Sequence, residues 1–181
     1  MIQIDSPFML HFKQLTLEDL PLMHRWFNLP HVQGHYSLRP WSEEEIFNKL
    51  NPYITEKTPV SGYIIFLEKS PIGYIQNYRL LDFPWDNQDL DETIVAKASG
   101  IDLFIGEPSY LGIGLGGVII RQFLDEKIWP SFDYCLVDPS TDNICAIRCY
   151  EKLGFKKHKI INTKDALSKP TQLLLMIKSS S

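Results

Sequence analysis

No stretch of this chain approaches the roughly 18 consecutive apolar residues of a membrane span, so no segment is expected to cross a bilayer. Cysteine is scarce. Cys135, Cys145 and Cys149 make an odd set in a chain of 181 residues, which is long enough to bury a core without disulfides, and this reads as a reducing compartment. A basic excess is also lacking. The net charge of −4 and pI near 5.7 argue against nucleic acid as a partner, because phosphate-backbone binding needs a cationic footprint. Met1 to Gln14 lack the cationic start and apolar run of a secretory signal, so a cytoplasmic location is expected. Repeats, low-complexity tracts and dividing linkers are missing too, so residues 1–181 are expected to form one domain, as a monomer or homodimer.

Several chemistries are excluded in the same way. No G-x-S-x-G elbow occurs, and no Lys-Ser or Lys-Thr follows the glycine-rich stretch as a Walker loop requires. His31 and His35 are spaced i, i+4 but lack an H-E-x-x-H pattern or a third ligand. They read as loop or helix-face residues, or as lining of a substrate mouth, and no metal is expected. Cys145 and Cys149 share a helix face without C-x-x-C spacing and read as small buried hydrophobes.

What is present is an ordinary globular composition, 44% hydrophobic and 22% charged, enough for a packed core. Leu10 to Leu15 alternates as a strand. Thr16, with Asp19 three residues on, predicts a helix start whose apolar stripe is Leu20, Met23, Trp26 and Phe27. A second helix is expected after Ser42, with Pro52 interrupting it. Tyr63–Leu67 and Ile72–Tyr78, joined by a short turn, predict an antiparallel hairpin. Leu81 to Lys97 reads as a long acidic loop. Gly100–Gly106 is a strand, a helix is expected from about Gly117 to Ile128, and Tyr134–Val137 is a short strand. Asn143 to Leu153 is a helix closed by Gly154, and Lys156–Asn162 and Gln172–Ile177 are the last strands. The sum is an α+β protein with a mixed sheet.

Two motifs carry chemistry. The run Tyr110-Leu111-Gly112-Ile113-Gly114-Leu115-Gly116-Gly117 lies between a strand and an amphipathic helix, where converging N–H groups and a helix N-terminus make an anion cradle. It fits an ordinary tight turn, or a coenzyme A pyrophosphate site. It also fits a dinucleotide fingerprint, since Gly112, Gly114 and Gly117 satisfy G-x-G-x-x-G and Asp138 follows about twenty residues later. The preceding hairpin, the Glu107-Pro108 step and the short remaining chain count against the last. The second motif is Asn143-x-x-Ala146-x-x-x-Tyr150-x-x-x-Gly154-Phe155.

Together these resemble the GNAT acetyltransferase superfamily. Gly114 and Gly116 match the glycines of its R/Q-x-x-G-x-G/A motif, and Leu111 stands where Arg or Gln is usual. Ile72–Tyr78, Gly100-Ile101-Asp102, Leu111–Gly116 and Ala146–Lys152 are most similar to the aminoglycoside 6′-N-acetyltransferase branch. Siderophore-pathway acetyltransferases acting on hydroxylated lysine share much of the layout. The resemblance implies a mainly antiparallel central sheet flanked by helices, with two strands splayed to admit acetyl-CoA. It implies cosubstrate contacts at Phe104, Ile105, Leu111, Gly112, Gly114, Gly116, Gly117, Asn143 and Tyr150, although Asn143 equally reads as a helix cap.

It further implies Asp102 as acceptor of the amine proton, and burial in the apolar run Ile101–Ile105 favours that by raising its pKa. A sheet-edge ion pair is the plainer alternative. Tyr150 is the expected acid toward the leaving thiolate, against an ordinary core tyrosine. For the acceptor, carboxylates interleaved with Phe83 and Trp85 suit a polycationic small molecule. The expected substrate residues are Gln76, Tyr78, Trp85, Asp86, Asp102, Asp138 and Asp165, with a solvated flap as the alternative for the acidic loop. The expected activity is acetyl transfer from acetyl-CoA to an aminoglycoside-like amine. Alternatives are a siderophore hydroxylysine, a polyamine or a peptide amine, or a non-catalytic coenzyme A-binding domain.

Overall fold

The computed structural model describes residues 9–85 and 87–181. Seven strands form one sheet in the order β1-β2-β3-β4-β5-β7-β6. They are β1 (Leu10–Gln14), β2 (Val60–Leu67), β3 (Ser70–Arg79), β4 (Ala98–Ile105), β5 (Tyr134–Val137), β6 (Lys156–Lys164) and β7 (Pro170–Ser179). Neighbouring strands are antiparallel except β4 and β5. The hairpin expected from the two aromatic runs is β2–β3, with Tyr63 opposite Ile75.

Alternation along β4 sorts the two faces of the sheet. Ile101 joins a core with Ile119, Ile120 and Phe123 of α5 (Leu115–Phe123) and Ile147 and Tyr150 of α6 (Ile144–Lys152). Phe104 joins an aromatic core on the other face, with Trp26 and Phe27 of α1 (Leu20–Phe27) and Ile46 and Leu50 of α3 (Glu43–Ile54). Between them, α2 (Pro30–Val32) continues into a wide turn over Gln33–Ser37 that places Tyr36 edge-on to Phe104, centroids 4.7 Å apart. A smaller core on this second face holds Leu80, Ala98, Leu136 and Leu175, with Trp85 and Leu90 packed against it.

Local chemistry accounts for where elements begin and end. Asp19 accepts from the Thr16 N–H at 2.8 Å and from the Lys13 ammonium at 2.8 Å, so the chain enters α1 through a tied turn. Ser42 and Glu45 form a reciprocal capping box at the start of α3. Pro52 does not interrupt α3, which runs on to Ile54; so near the C-terminal end its missing N–H costs a single ladder bond. The acidic segment is not wholly a loop. Asp91 caps α4 (Glu92–Ala96) by accepting from the Thr93 N–H at 2.8 Å. Helix α5 begins at Leu115 rather than Gly117, because Gly114 takes the left-handed conformation (φ 86°) and turns the chain into the helix there. Gly154, at φ 88°, terminates the turn after α6 as the sequence predicts.

Candidate active site

The parallel ladder between β4 and β5 pairs Ala98 with Tyr134, Ser99 with Cys135 and Gly100 with Leu136, and then stops. β4 continues to Ile105 while β5 ends at Val137, so Ile101–Ile105 has lost its neighbour on that side. The Gly106 N–H donates to Ile72 O at 2.8 Å, toward β3. By antiparallel alternation, the peptide groups of Leu103 and Ile105 point the opposite way, into the gap. One of them is used: Ile105 O lies 3.0 Å from His31 Nε2, which places His31 at the rim of the gap.

At the end of β4 the chain reaches the glycine turn. Glu107 is anchored to α1, accepting from Trp26 Nε1 at 2.9 Å and pairing with Arg25. Gly112 and Gly114 both have positive φ, 74° and 86°, and an added Cβ at either would meet nothing within 4 Å. Gly114, the N-cap residue of α5, has no side chain to occupy the first-turn amides. Gly116 and Gly117 lie under α6, where an added Cβ would stand 3.9 Å and 4.0 Å from Cys149 Sγ. The result is an open, amide-lined bend at the mouth of the gap, suited to a pyrophosphate. Exposed Leu111 borders it with an apolar side chain.

Asp102 sits on the second face of β4, opposite Gln76 of β3. Tyr74 Oη donates to Gln76 Oε1 at 2.9 Å, and Gln76 Nε2 donates to Asp102 Oδ2 at 2.9 Å. This relay fixes the carboxylate and leaves Oδ1 without a hydrogen bond among the described residues. Burial raises the Asp102 pKa, opposed by the Gln76 hydrogen bond and the charge of Lys49. Tyr78 lies over Gly100, where a Cβ would meet its ring at 2.5 Å, and edges Phe83 at 5.3 Å. Asp138, just past β5, feels both burial and Asp102, and its carboxyl is pushed up to about 8. Two buried carboxyls whose charges interact are disfavoured from ionising together without a cation.

Tyr150 is 8% exposed and packs in the core of the opposite face, edge-on to Phe155 at 5.3 Å. Burial first, then Asp102 and Asp138, raise its phenol well above the usual value, so it stays protonated. Asp102 and Tyr150 thus lie on opposite faces of the sheet, with the charge of Asp102 acting on the phenol, and the thiol of Cys135 is also raised by burial.

Other expected residues fall elsewhere. The Phe104 side chain is buried among Trp26, Phe27, Tyr36 and Tyr74, and its peptide is paired toward β3, so neither faces the gap. Asn143 is the N-cap of α6, its Oδ1 accepting from the Ala146 N–H at 3.2 Å. Asp165 holds the tip of the β6–β7 hairpin, accepting from Leu167 N–H and Lys169 N–H at 2.8 Å and 2.9 Å. Trp85 packs on the small core beneath the acidic segment. Asp86 lies outside the described residues. The segment's other carboxylates are largely engaged: Asp82 pairs with Arg79, Asp89 with Lys159, and Asp91 caps α4. Cys145 is exposed and Cys149 half-buried, so Cys145 is not the small buried hydrophobe expected and Cys149 is one only in part.

The sequence reading missed Tyr36, Lys49, Tyr53 and Tyr74. The pKa of each phenol is raised, first by burial, with Asp102 among the charges acting on it. Their signal was available in part: Ile46, Lys49, Leu50 and Tyr53 recur at one-face spacing on α3.

Comparison with known proteins identifies the family and the fold. Residues 16–163 match the acetyltransferase (GNAT) domain family. An aminoglycoside N(6′)-acetyltransferase type 1 from Klebsiella pneumoniae is 31% identical over 157 residues, covering 83% of this chain and 76% of that one. A crystal structure of aminoglycoside acetyltransferase AAC(6′)-Ib with coenzyme A superposes with a TM-score of 0.78 at 28% identity, covering 94% of this chain and 95% of that one. The spermidine N-acetyltransferase of Vibrio cholerae shares the fold, with a TM-score of 0.74 at 17% identity, over 94% of this chain and 95% of the other. With a parted β4–β5 pair, a glycine bend opening α5 and a family match over most of its length, the chain belongs to the GNAT acetyltransferases.

Proposed function

We propose that this enzyme transfers an acetyl group from acetyl-CoA to a primary amine of a polycationic small molecule, the 6′-amine of an aminoglycoside being the leading acceptor. The observation that carries the reading is the end of the β4–β5 ladder at Gly100–Leu136, which opens the sheet beside the stretch of β4 that carries Asp102. Acetyl-CoA supplies an acetyl group activated as a thioester. The Leu103 and Ile105 peptide groups hold its pantetheine arm as an added strand would be held, and the amides from Gly112 to Gly117 hold its phosphates.

Asp102 Oδ1 receives the acceptor amine and takes its proton, while Gln76 keeps the other oxygen fixed. A carboxyl whose pKa is raised by burial is a stronger base than a solvated one, which is what an ammonium donor requires. Asp138 adds a second carboxylate for a polycation, and an arriving ammonium relieves the repulsion between the two. Tyr78 and Phe83 form an aromatic wall beside them. Tyr150 Oη, protonated throughout the neutral range, holds the proton delivered to the departing sulfur. The 31% identical Klebsiella enzyme, an aminoglycoside acetyltransferase by name, supports the choice of acceptor.

The direct test is release of free coenzyme A thiol from acetyl-CoA with kanamycin-like aminoglycosides, polyamines and hydroxylysine in parallel. Turnover with the aminoglycosides is expected. Turnover confined to another acceptor would replace the substrate assignment, and silence with all of them would overturn the activity.

A further inference from the structure

On α3, Ile46, Lys49, Leu50 and Tyr53 stand at i, i+3, i+4 and i+7, the spacing of a single inward stripe. Ile46 and Leu50 are fully buried in the aromatic core, as that stripe demands. Lys49 occupies a position where an apolar residue would otherwise be expected. Its Nζ lies 5.7 Å from the centroid of Trp41 and 6.0 Å from that of Tyr53, between two aromatic faces. No carboxylate lies within ion-pair distance of it among the described residues, whereas neighbouring Arg39 pairs with Glu45 at 2.9 Å. The charge that does reach Lys49 is that of Asp102, which offsets the lowering of its pKa by burial. Trp41 and Tyr53, the rings beside Lys49, pack on the same aromatic core as Tyr36 and Tyr74, and Tyr74 reaches Asp102 through Gln76, so the ammonium and the carboxylate border one tyrosine-rich region of the second face.

A partly buried ammonium without a partner is costly, and an acceptor that satisfies it gains accordingly. We propose that Lys49 sets acceptor specificity: it donates to a hydroxyl or carboxylate oxygen carried next to the reacting amine, and it keeps a second ammonium out of that position. This rests on the acetyl-transfer reading above and deepens it. The substrate class becomes an amine with a neighbouring oxygen, as in an aminosugar, in preference to a bare polyamine chain. Repulsion of the wrong acceptor and a bond to the right one act in the same direction. Lys49 is a specificity residue here and takes no part in the proton transfers assigned to Asp102 and Tyr150.

The experiment compares kcat/KM for kanamycin and for spermidine in the wild type, Lys49→Met, Lys49→Gln and Lys49→Arg, with the acetyl-CoA KM measured in each. Calorimetric binding of both amines without acetyl-CoA accompanies it. The kanamycin-to-spermidine ratio should fall about tenfold or more in Lys49→Met and Lys49→Gln, the effect of losing one charged hydrogen bond, with the acetyl-CoA KM held. Lys49→Arg should keep most of the ratio. An unchanged ratio, or an equal loss for both amines in every variant, overturns the proposal. If the wild type acetylates neither amine, the activity reading fails by itself. Calorimetry then decides Lys49: a wild-type preference for kanamycin that Lys49→Met erases sustains the inference, and equal binding overturns it.

Discussion

Asp102 and Asp138 show how position changes the proton affinity of an ordinary side chain. Each carboxyl is raised mainly by burial, and the charge of Asp102 raises the Asp138 carboxyl further. Replacing Asp102 by Asn keeps the shape and removes the base. Turnover should fall about 100-fold or more, the usual scale of a general base, while the acetyl-CoA KM holds. Unchanged turnover would remove Asp102 from the chemistry. Tyr150→Phe should lower turnover by about tenfold with binding preserved, and a loss confined to KM would point to packing instead. Asp138 makes a prediction about pH. Its carboxyl is raised to about 8 in the folded protein, above the roughly 3.9 of an unfolded chain. The folded state therefore keeps a proton that the unfolded state gives up. The associated stability is complete below about pH 4 and is lost as pH rises through about 8. Thermal midpoints of ligand-free Asp138→Asn should rise relative to wild type between pH 5 and 9, and a constant difference across that range would contradict the assignment.

Among the elements, α6 and the turn before α5 separate structural from functional roles. Asn143 caps α6, so Asn143→Ala should cost about 1 kcal/mol in chemical denaturation and leave the acetyl-CoA KM unchanged. A raised KM at full stability would return Asn143 to the cosubstrate. Gly114 holds φ 86°, and alanine there carries a backbone penalty of about 1–2 kcal/mol although nothing crowds its Cβ. The variant should relieve that strain by reshaping the bend, raising the acetyl-CoA KM while the acceptor KM stays near wild type. The same elements show what was legible in sequence. The limits of α6 could be read because Asn143 and Gly154 carry capping chemistry in their own side chains. Helix α4 could not, since it is five residues long and rests on one Asp91–Thr93 contact inside an acidic run. Phe104 was expected at the cosubstrate from the family resemblance, but strand parity turns its side chain to the face opposite that of Ile105. Asp165 was placed by likeness of its loop, and only the hairpin geometry reveals that two backbone amides already hold its carboxylate.

For the molecule as a whole, motif order was enough to establish the family, because the glycine bend and the Asn143–Phe155 run flank one strand of one sheet. The proposed acceptor site was less legible, since Tyr36, Lys49 and Tyr53, Gln76 and Asp102 come from four separate elements and share a face only when α1–α3 cover the second face of the sheet. In the acidic segment, read as carboxylates for a polycation or as a solvated flap, Asp82, Asp89 and Asp91 are engaged by Arg79, Lys159 and Thr93. What joins these parts is the opening between β4 and β5, and it can be probed residue by residue. Amide hydrogen exchange, measured with and without acetyl-CoA, tests it most directly. Occupancy of the gap predicts slowed exchange at Leu103, Ile105 and the amides from Gly114 to Gly117, with the β1–β2 edge unaffected. Unchanged exchange at Leu103 and Ile105 under saturating acetyl-CoA would contradict the account.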